Sequence, residues 1–333
     1  MRSGWRRLPG RRTWITAVIA ACLLGAALEP SVVLRRPTYD YIITVDVTQS
    51  MNTRDVTLDG VRTSRIRYAK RLLKDLLPRL PCGSRIGWAI FTEYRVFLFF
   101  TPVEVCANYD ALEETLNRIG NNMAWAGGSQ IARGLFAGLK VASEVPGKPA
   151  FVFITDGQEA PPVNPSFRPE FDGTPGAVPG VILGVGGDSL SRIPMIGRDG
   201  RFLGYWAANQ VPQTDAYSAG RATSQPHDLL YDKAGQPIRP LPPSGIEQLS
   251  SLKEAYLRSL AEETGLHYRR LDGAETLYST LTQRGFVRPA RVRTQVGFAP
   301  AALGLVLLIW LYWPRRYRSP RPIHAPAEAK LER

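Results

Sequence analysis

The chain has 333 residues, enough for one large domain or two small ones, and 44% hydrophobic, 10% aromatic and 21% charged residues exclude disordered and collagen-like classes. A formal charge of +13 suggests nucleic acid at first sight, because phosphate backbones demand a basic surface. Its distribution excludes that reading: residues 1–12 carry +5 and residues 314–333 carry +4, which leaves only +4 for everything between.

The basic segment 1–12 abuts an apolar run, 13–28 (TWITAVIAACLLGAAL), which predicts a transmembrane helix. At about 1.5 Å per residue the run reaches roughly 24 Å, short but sufficient for a thin bilayer. A basic leader, an apolar stretch and Gly25-Ala26-Ala27 equally fit a cleavable signal peptide. Residues 38–47 (TYDYIITVDV) read as a buried strand that ends in the polar DVTQS. Residues 63–80 place Ile66, Ala69, Leu72, Leu73, Leu76, Leu77 and Leu80 at helical spacing. Residues 85–91 and 95–100 then read as two strands joined by Thr92-Glu93-Tyr94. With Phe91 opposite Val96, that hairpin brings Cys82 and Cys106 together, which predicts a disulfide in an oxidising compartment, with two unpaired thiols as the alternative.

Residues 109–120 and 129–145 read as helices, the second opening after Ala126-Gly127-Gly128. Residues 151–157 (FVFITDG) and 181–187 (VILGVGG) read as apolar strands. Each is followed by a long excursion, 158–180 with six prolines and 188–249 with Phe202, Tyr205 and Trp206, of the kind that carries function when it starts at a strand's carboxyl end. A helix (250–265), a strand (267–271) and a helix (274–284) precede the second apolar run, 296–313, and the basic tail 314–333. The positive-inside bias puts both basic ends in the cytoplasm and residues 30–295 outside, in the periplasm of a bacterial inner-membrane protein; Arg284, Arg288, Arg291 and Arg293 oppose this orientation.

Strand–helix alternation with apolar strands predicts a mostly parallel, doubly wound (Rossmann-like) α/β sheet with one antiparallel edge hairpin, and ligands at the carboxyl ends of its strands. Three such ends carry oxygen. Asp46, Thr48 and Ser50 alternate after the first strand, Ser129 opens a helix, and Asp156 ends the FVFIT strand. Two carboxylates and three hydroxyls suit a hard divalent cation, Mg²⁺, Mn²⁺ or Ca²⁺. Singly, Ser50 and Ser129 also fit helix N-caps and Asp156-Gly157 an ordinary turn; Glu159 and Asp172 are candidates for a second calcium site.

These segments resemble a von Willebrand factor A domain with a metal-ion-dependent adhesion site. DVTQS stands for the family's DxSxS with Thr48 in the first serine position, Ser129 stands for its mid-domain threonine, and Asp156 for its later aspartate. The likeness covers about residues 38–286. It implies that Thr48, Ser50 and Ser129 contact the metal, with Asp46 and Asp156 often acting through water, and that a partner's acidic residue fills the open position. More narrowly, YDYIITVDVTQSMNTRDV, PCGSRIG and TDGQEAPPVNPSFRP are similar to the MxaL-type proteins of methanol-oxidation gene clusters. That similarity implies calcium insertion into, and maturation of, methanol dehydrogenase, with the enzyme or its other maturation proteins as partners. The broader BatA-like class implies work with a MoxR-type AAA+ ATPase in envelope assembly or stress tolerance.

Catalysis is not expected. GxSxG, GxxxxGK[ST] and HExxH are missing from the sequence, as are CxxC pairs, and the three histidines (His227, His267, His324) are scattered. Gly184-Val185-Gly186-Gly187 lacks the third glycine of a dinucleotide fingerprint and reads as a tight turn.

Overall fold

A computed structural model describes residues 10–125, 127–164, 168–197, 199–214 and 245–313. These fall into two compact units, one made of the two ends of the chain (up to Leu34 and from Val292) and one of Arg35–Arg291. Residues 1–9 of the expected basic end 1–12, the expected basic tail 314–333, and residues 215–244 of the second excursion lie outside the described residues.

The terminal unit is a helical pair. Helix α1 (Arg11–Ala27) has 17 residues and runs antiparallel to the chain's last helix, Phe298–Tyr312, which has 15. Gly304 lets the two backbones approach, since a Cβ there would lie 3.3 Å from Cys22 Cβ, and the Arg11 guanidinium lies 5.2 Å over the Trp310 ring. Cys22 is the free cysteine, packed as a small hydrophobe. None of the described helices is long and apolar enough to cross a membrane. Strand β1 (Ser31–Thr38) pairs with the strand Arg288–Gln295, an addition to the expected 38–286 core. Its alternation is invisible in the sequence because every residue of β1 except Thr38 is exposed, so no buried face imposes a period.

The second unit is built on β2 (Asp40–Asp46), followed by α2 (Arg65–Leu76), β3 (Arg85–Thr92), β4 (Arg95–Leu98), β5 (Val103–Glu104), α3 (Tyr109–Arg118), α4 (Ile131–Glu144), β6 (Ala150–Thr155), β7 (Gly180–Gly184), α5 (Glu254–Thr264), β8 (His267–Arg270) and α6 (Ala274–Leu281). The sheet order is β8-β7-β6-β2-β3-β4, with β5 also on β3. The five strands from β8 to β3 are parallel, while β4 and β5 pair with β3 antiparallel. Phe91 faces Val96 and Thr92 faces Arg95, so the hairpin turns on Glu93-Tyr94 alone, with Glu93 at positive φ.

Alternation along each strand feeds two cores. Tyr41, Ile43, Val45, Trp88 and Ile154 meet α2, α3 and α6 on one face. Ile42, Phe91, Phe151 and Phe153 meet α4 and α5 on the other. Helix α4 lies unusually close to the sheet, because Gly134 and Gly138 leave room for the rings of Phe91 and Phe151, whose atoms would sit 2.0 and 2.2 Å from a Cβ at those positions. The chain leaves β2 toward β3 on one side and comes back to β6 on the other, so β2 and β6 flank the switch point where a doubly wound sheet opens a crevice.

Candidate metal centre

Asp46, at the end of β2, is fully buried. Its Oδ1 accepts from the Thr48 backbone N–H (2.8 Å) and from Thr48 Oγ1 (2.7 Å), and its Oδ2 accepts from Thr155 Oγ1 (2.6 Å). These bonds turn Thr48 over the strand end, where its Oγ1 lies 3.4 Å from Ser50 Oγ in the short 3₁₀ turn Gln49–Asn52. Burial first, and the neighbouring Asp156 second, push the Asp46 carboxyl up to about 7, against the hydrogen bonds from Thr155 and Thr48. Asp156 directly follows β6; its Oδ1 accepts from the Gln158 N–H (2.9 Å) across Gly157, whose φ of +79° suits only glycine. The expected acidic turn and the expected site aspartate are therefore one structure.

Ser129 is fastened by its backbone, its N–H donating to Ala160 (2.6 Å) and its carbonyl accepting from Ala160 (2.8 Å). Its side chain is not an N-cap. Gln130 holds that position, and Glu159 satisfies the helix end by accepting from the N–H groups of Ile131 (3.0 Å) and Ala132 (3.2 Å). Glu159 also accepts from Tyr256 Oη, so it serves as a helix cap; Glu159 and Asp172, named together for a second calcium site, line different cavities. Ser129 is only 3% exposed, yet among the described residues its Oγ has no hydrogen-bond partner.

Thr48, Ser50 and Ser129 line one cavity of about 350 Å³, with Asp46 and Asp156 buried behind them. The residues singled out in three separate segments thus meet at one crevice. Their donors are all oxygens, and the unsatisfied Ser129 hydroxyl is the kind of group that a buried site leaves only for a ligand; the set fits a hard divalent cation.

One residue was not singled out in the sequence. Arg65, the first residue of α2, is fully buried. Its Nη1 donates to Asp156 Oδ2 and to Ser250 Oγ (2.7 Å), and its Nε and Nη2 grip Asp55. Arg65 neutralises part of the charge that Asp46 and Asp156 would otherwise share. The glycines read as a tight turn prove to make room for it: a Cβ on Gly186 would sit 2.8 Å from Arg65 Nε, and the Gly187 N–H donates to Asp55 (2.9 Å). An arginine heading an otherwise amphipathic helix looks solvent-facing by periodicity, and only its closeness to Asp55 hinted otherwise.

Cys82 and Cys106 lie at the base of the β3–β4 hairpin, joined by a disulfide with Cα atoms 5.3 Å apart. Glu104, beside them, accepts from the backbone N–H groups of Gly83 (2.6 Å) and Ala107 (2.5 Å), which hold its carboxyl below the usual range against its partial burial. Phe202 and Tyr205 stack edge to face 5.2 Å apart on an exposed hairpin, whereas Trp206 lines the cavity.

A crevice of hydroxyls and carboxylates at the switch point of a doubly wound sheet defines a class of α/β domain. Residues 41–158 match the family model of the von Willebrand factor type A domain, and the mixed, mostly parallel sheet makes the fold VWA-like. Curated proteins provide no match. Similar solved structures include an aerotolerance-related membrane protein from Bacteroides fragilis (19% identity, 74% of this chain and 97% of that one, TM-score 0.45). An uncharacterised membrane-spanning protein from Vibrio fischeri shows 18% identity over 72% of this chain and 93% of that one, TM-score 0.27. The ArnB paralog VWA2 from Sulfolobus acidocaldarius shows 12%, over 76% and 46%, TM-score 0.37.

Proposed function

We propose that the chain is a non-catalytic, membrane-tethered binding module that takes up a divalent cation, Mg²⁺ in first place, and through it a carboxylate of a partner protein. Thr48, Ser50 and Ser129 hold the cation, with Asp46 and Asp156 behind them. The observation that carries this reading is Ser129 Oγ, buried and unpartnered on a wall shared with two other hydroxyls. Bound there, the cation supplies a Lewis-acidic position for an anionic ligand. Tethering rests on the two apolar end segments, where Leu24, Leu305 and Val306 are 59–68% exposed, more than a soluble surface tolerates in a cluster. The disulfide fits an oxidising compartment, the periplasm.

Metal titration tests the site. Mg²⁺ at a hundred times its Kd stabilises the folded state by about 2.7 kcal/mol, and Ser129→Ala or Asp46→Ala abolishes the melting shift; an unchanged shift refutes the assignment. The biological setting we propose, calcium insertion into methanol dehydrogenase, rests on the likeness of residues 39–56, 81–87 and 155–169 to MxaL-type proteins. A deletion strain then yields calcium-poor, weakly active enzyme. Normal enzyme together with sensitivity to unrelated envelope stress places the module instead beside a MoxR-type ATPase.

A further inference from the structure

The cavity over the three hydroxyls is roofed by the excursion that follows β7. Ile193, Trp206, Val211 and Pro212 supply an apolar lining to the same cavity as Ser129, and Pro161 adds to it. This roof is fastened down. Ser191-Arg192 pairs with Leu249-Ser250, Trp206 N–H donates to the Ile193 carbonyl (3.1 Å), and Glu247 N–H donates to Gln213 Oε1 (3.1 Å). Ser250 in turn accepts from Arg65 (2.7 Å), which ties the roof to the floor of the site. At about 350 Å³ the cavity stands at the small end of ligand pockets, which run from about 300 to 1,000 Å³. A flat protein surface does not enter such a space; a side chain and its neighbour do.

Two further atoms specify what enters. Trp206 Nε1 and Gln158 Oε1 are buried and lack hydrogen-bond partners among the described residues, although both residues line the cavity. One is a donor and the other an acceptor, the complement of a peptide unit's C=O and N–H. We propose that this roofed cavity binds a protruding, extended segment of a partner protein, an acidic side chain followed or preceded by an apolar one. The carboxylate goes to the metal, the apolar side chain to the wall of Ile193, Trp206 and Val211, and the linking peptide unit to Trp206 Nε1 and Gln158 Oε1.

The inference rests on the metal-dependent reading above, so metal binding and peptide binding are measured separately on the full chain. The probes are Mg²⁺ alone, acetate, and acetylated, amidated Leu-Glu-Leu, Gly-Glu-Gly and Leu-Gln-Leu, each titrated calorimetrically with Mg²⁺ and with EDTA. Leu-Glu-Leu binds about tenfold tighter than Gly-Glu-Gly, and Leu-Gln-Leu or EDTA removes binding. Trp206→Ala removes the tenfold preference while the Mg²⁺ titration stays as in the parent. Trp206→Phe, which keeps the apolar wall and loses only the N–H, weakens both glutamate peptides alike. Mg²⁺ binding without a preference between the two glutamate peptides, or acetate binding as tightly as Leu-Glu-Leu, overturns the roof's role. A chain that binds no Mg²⁺ overturns the metal-dependent reading, and the inference with it.

Discussion

Arg65→Met tests the charge arrangement beneath the candidate metal centre. In the parent, the guanidinium is fully buried and contacts two carboxylates whose side chains are 4% and 0% exposed, Asp55 and Asp156. Methionine keeps most of the volume but leaves both acids without a counter-charge in a dry setting. Removing one partner of a buried pair costs about 3–5 kcal/mol, and for a unit of this size each kcal/mol moves the melting temperature by about 2–4 °C. The metal-free variant therefore melts roughly 6–20 °C below the parent in EDTA, followed by circular dichroism or dye fluorescence. Mg²⁺ then recovers more stability in the variant than in the parent, because Asp156 no longer shares its charge with an arginine. Arg65→Lys falls between the two, since an ammonium cannot reproduce the two-sided grip on Asp55 and Asp156. A metal-free Arg65→Met protein that melts within about 2 °C of the parent refutes the buried-network account.

Three other outcomes follow from particular contacts. The folded-state pKa of Asp46, about 7, lies above the unfolded value of roughly 3.9. The folded protein thus holds the extra proton between those values, so the metal-free chain loses stability as pH rises from about 4 to about 7. Mg²⁺ affinity moves the opposite way, falling below pH 7; calorimetry that shows a flat affinity from pH 5 to 8 contradicts the placement of Asp46. Replacing Cys82 and Cys106 together with alanine opens a loop with a sequence separation of 24, at a cost of about 3–4 kcal/mol in the chain-entropy account, read as a lower urea midpoint that reductant reproduces in the parent. Gly138→Ala drives a methyl group into the Phe151 ring and destabilises by about 1–3 kcal/mol, whereas Gly273→Ala, where a Cβ meets nothing within 4 Å, is tolerated.

The layered sheet was legible because its strands are buried on both faces: runs such as FVFIT need no partner to announce themselves. The hairpin register followed from the short turn, and the meeting of Cys82 and Cys106 followed from the register; Phe91 does oppose Val96. Asp46, Thr48, Ser50, Ser129 and Asp156 were readable as a group because each sits at a strand or helix end, where side chains have few structural duties. What stayed hidden was non-local. Arg65 answers to Asp55 and Asp156 across three elements, a pairing that no local period encodes. Short pairs such as Val56–Leu58 with Val61–Thr63 are set by turn geometry and have half-exposed faces, and the strand Arg288–Gln295 carries Arg288, Arg291 and Arg293 at uneven spacing, so no period of two announces it.

The sheet ends in two blunt edges. One is β8, four residues long with Arg269 and Arg270 on it, and the other is β4, also four residues, beside the two-residue β5. Neither offers the long, flat row of free amides on which a foreign strand is recruited. This makes the domain a poor template for cross-chain β-pairing and for the aggregation that grows from it, and it discourages partners that bind by adding a strand. The rim that carries the hydroxyls is free of this restriction, because its recognition groups are side chains and not strand amides.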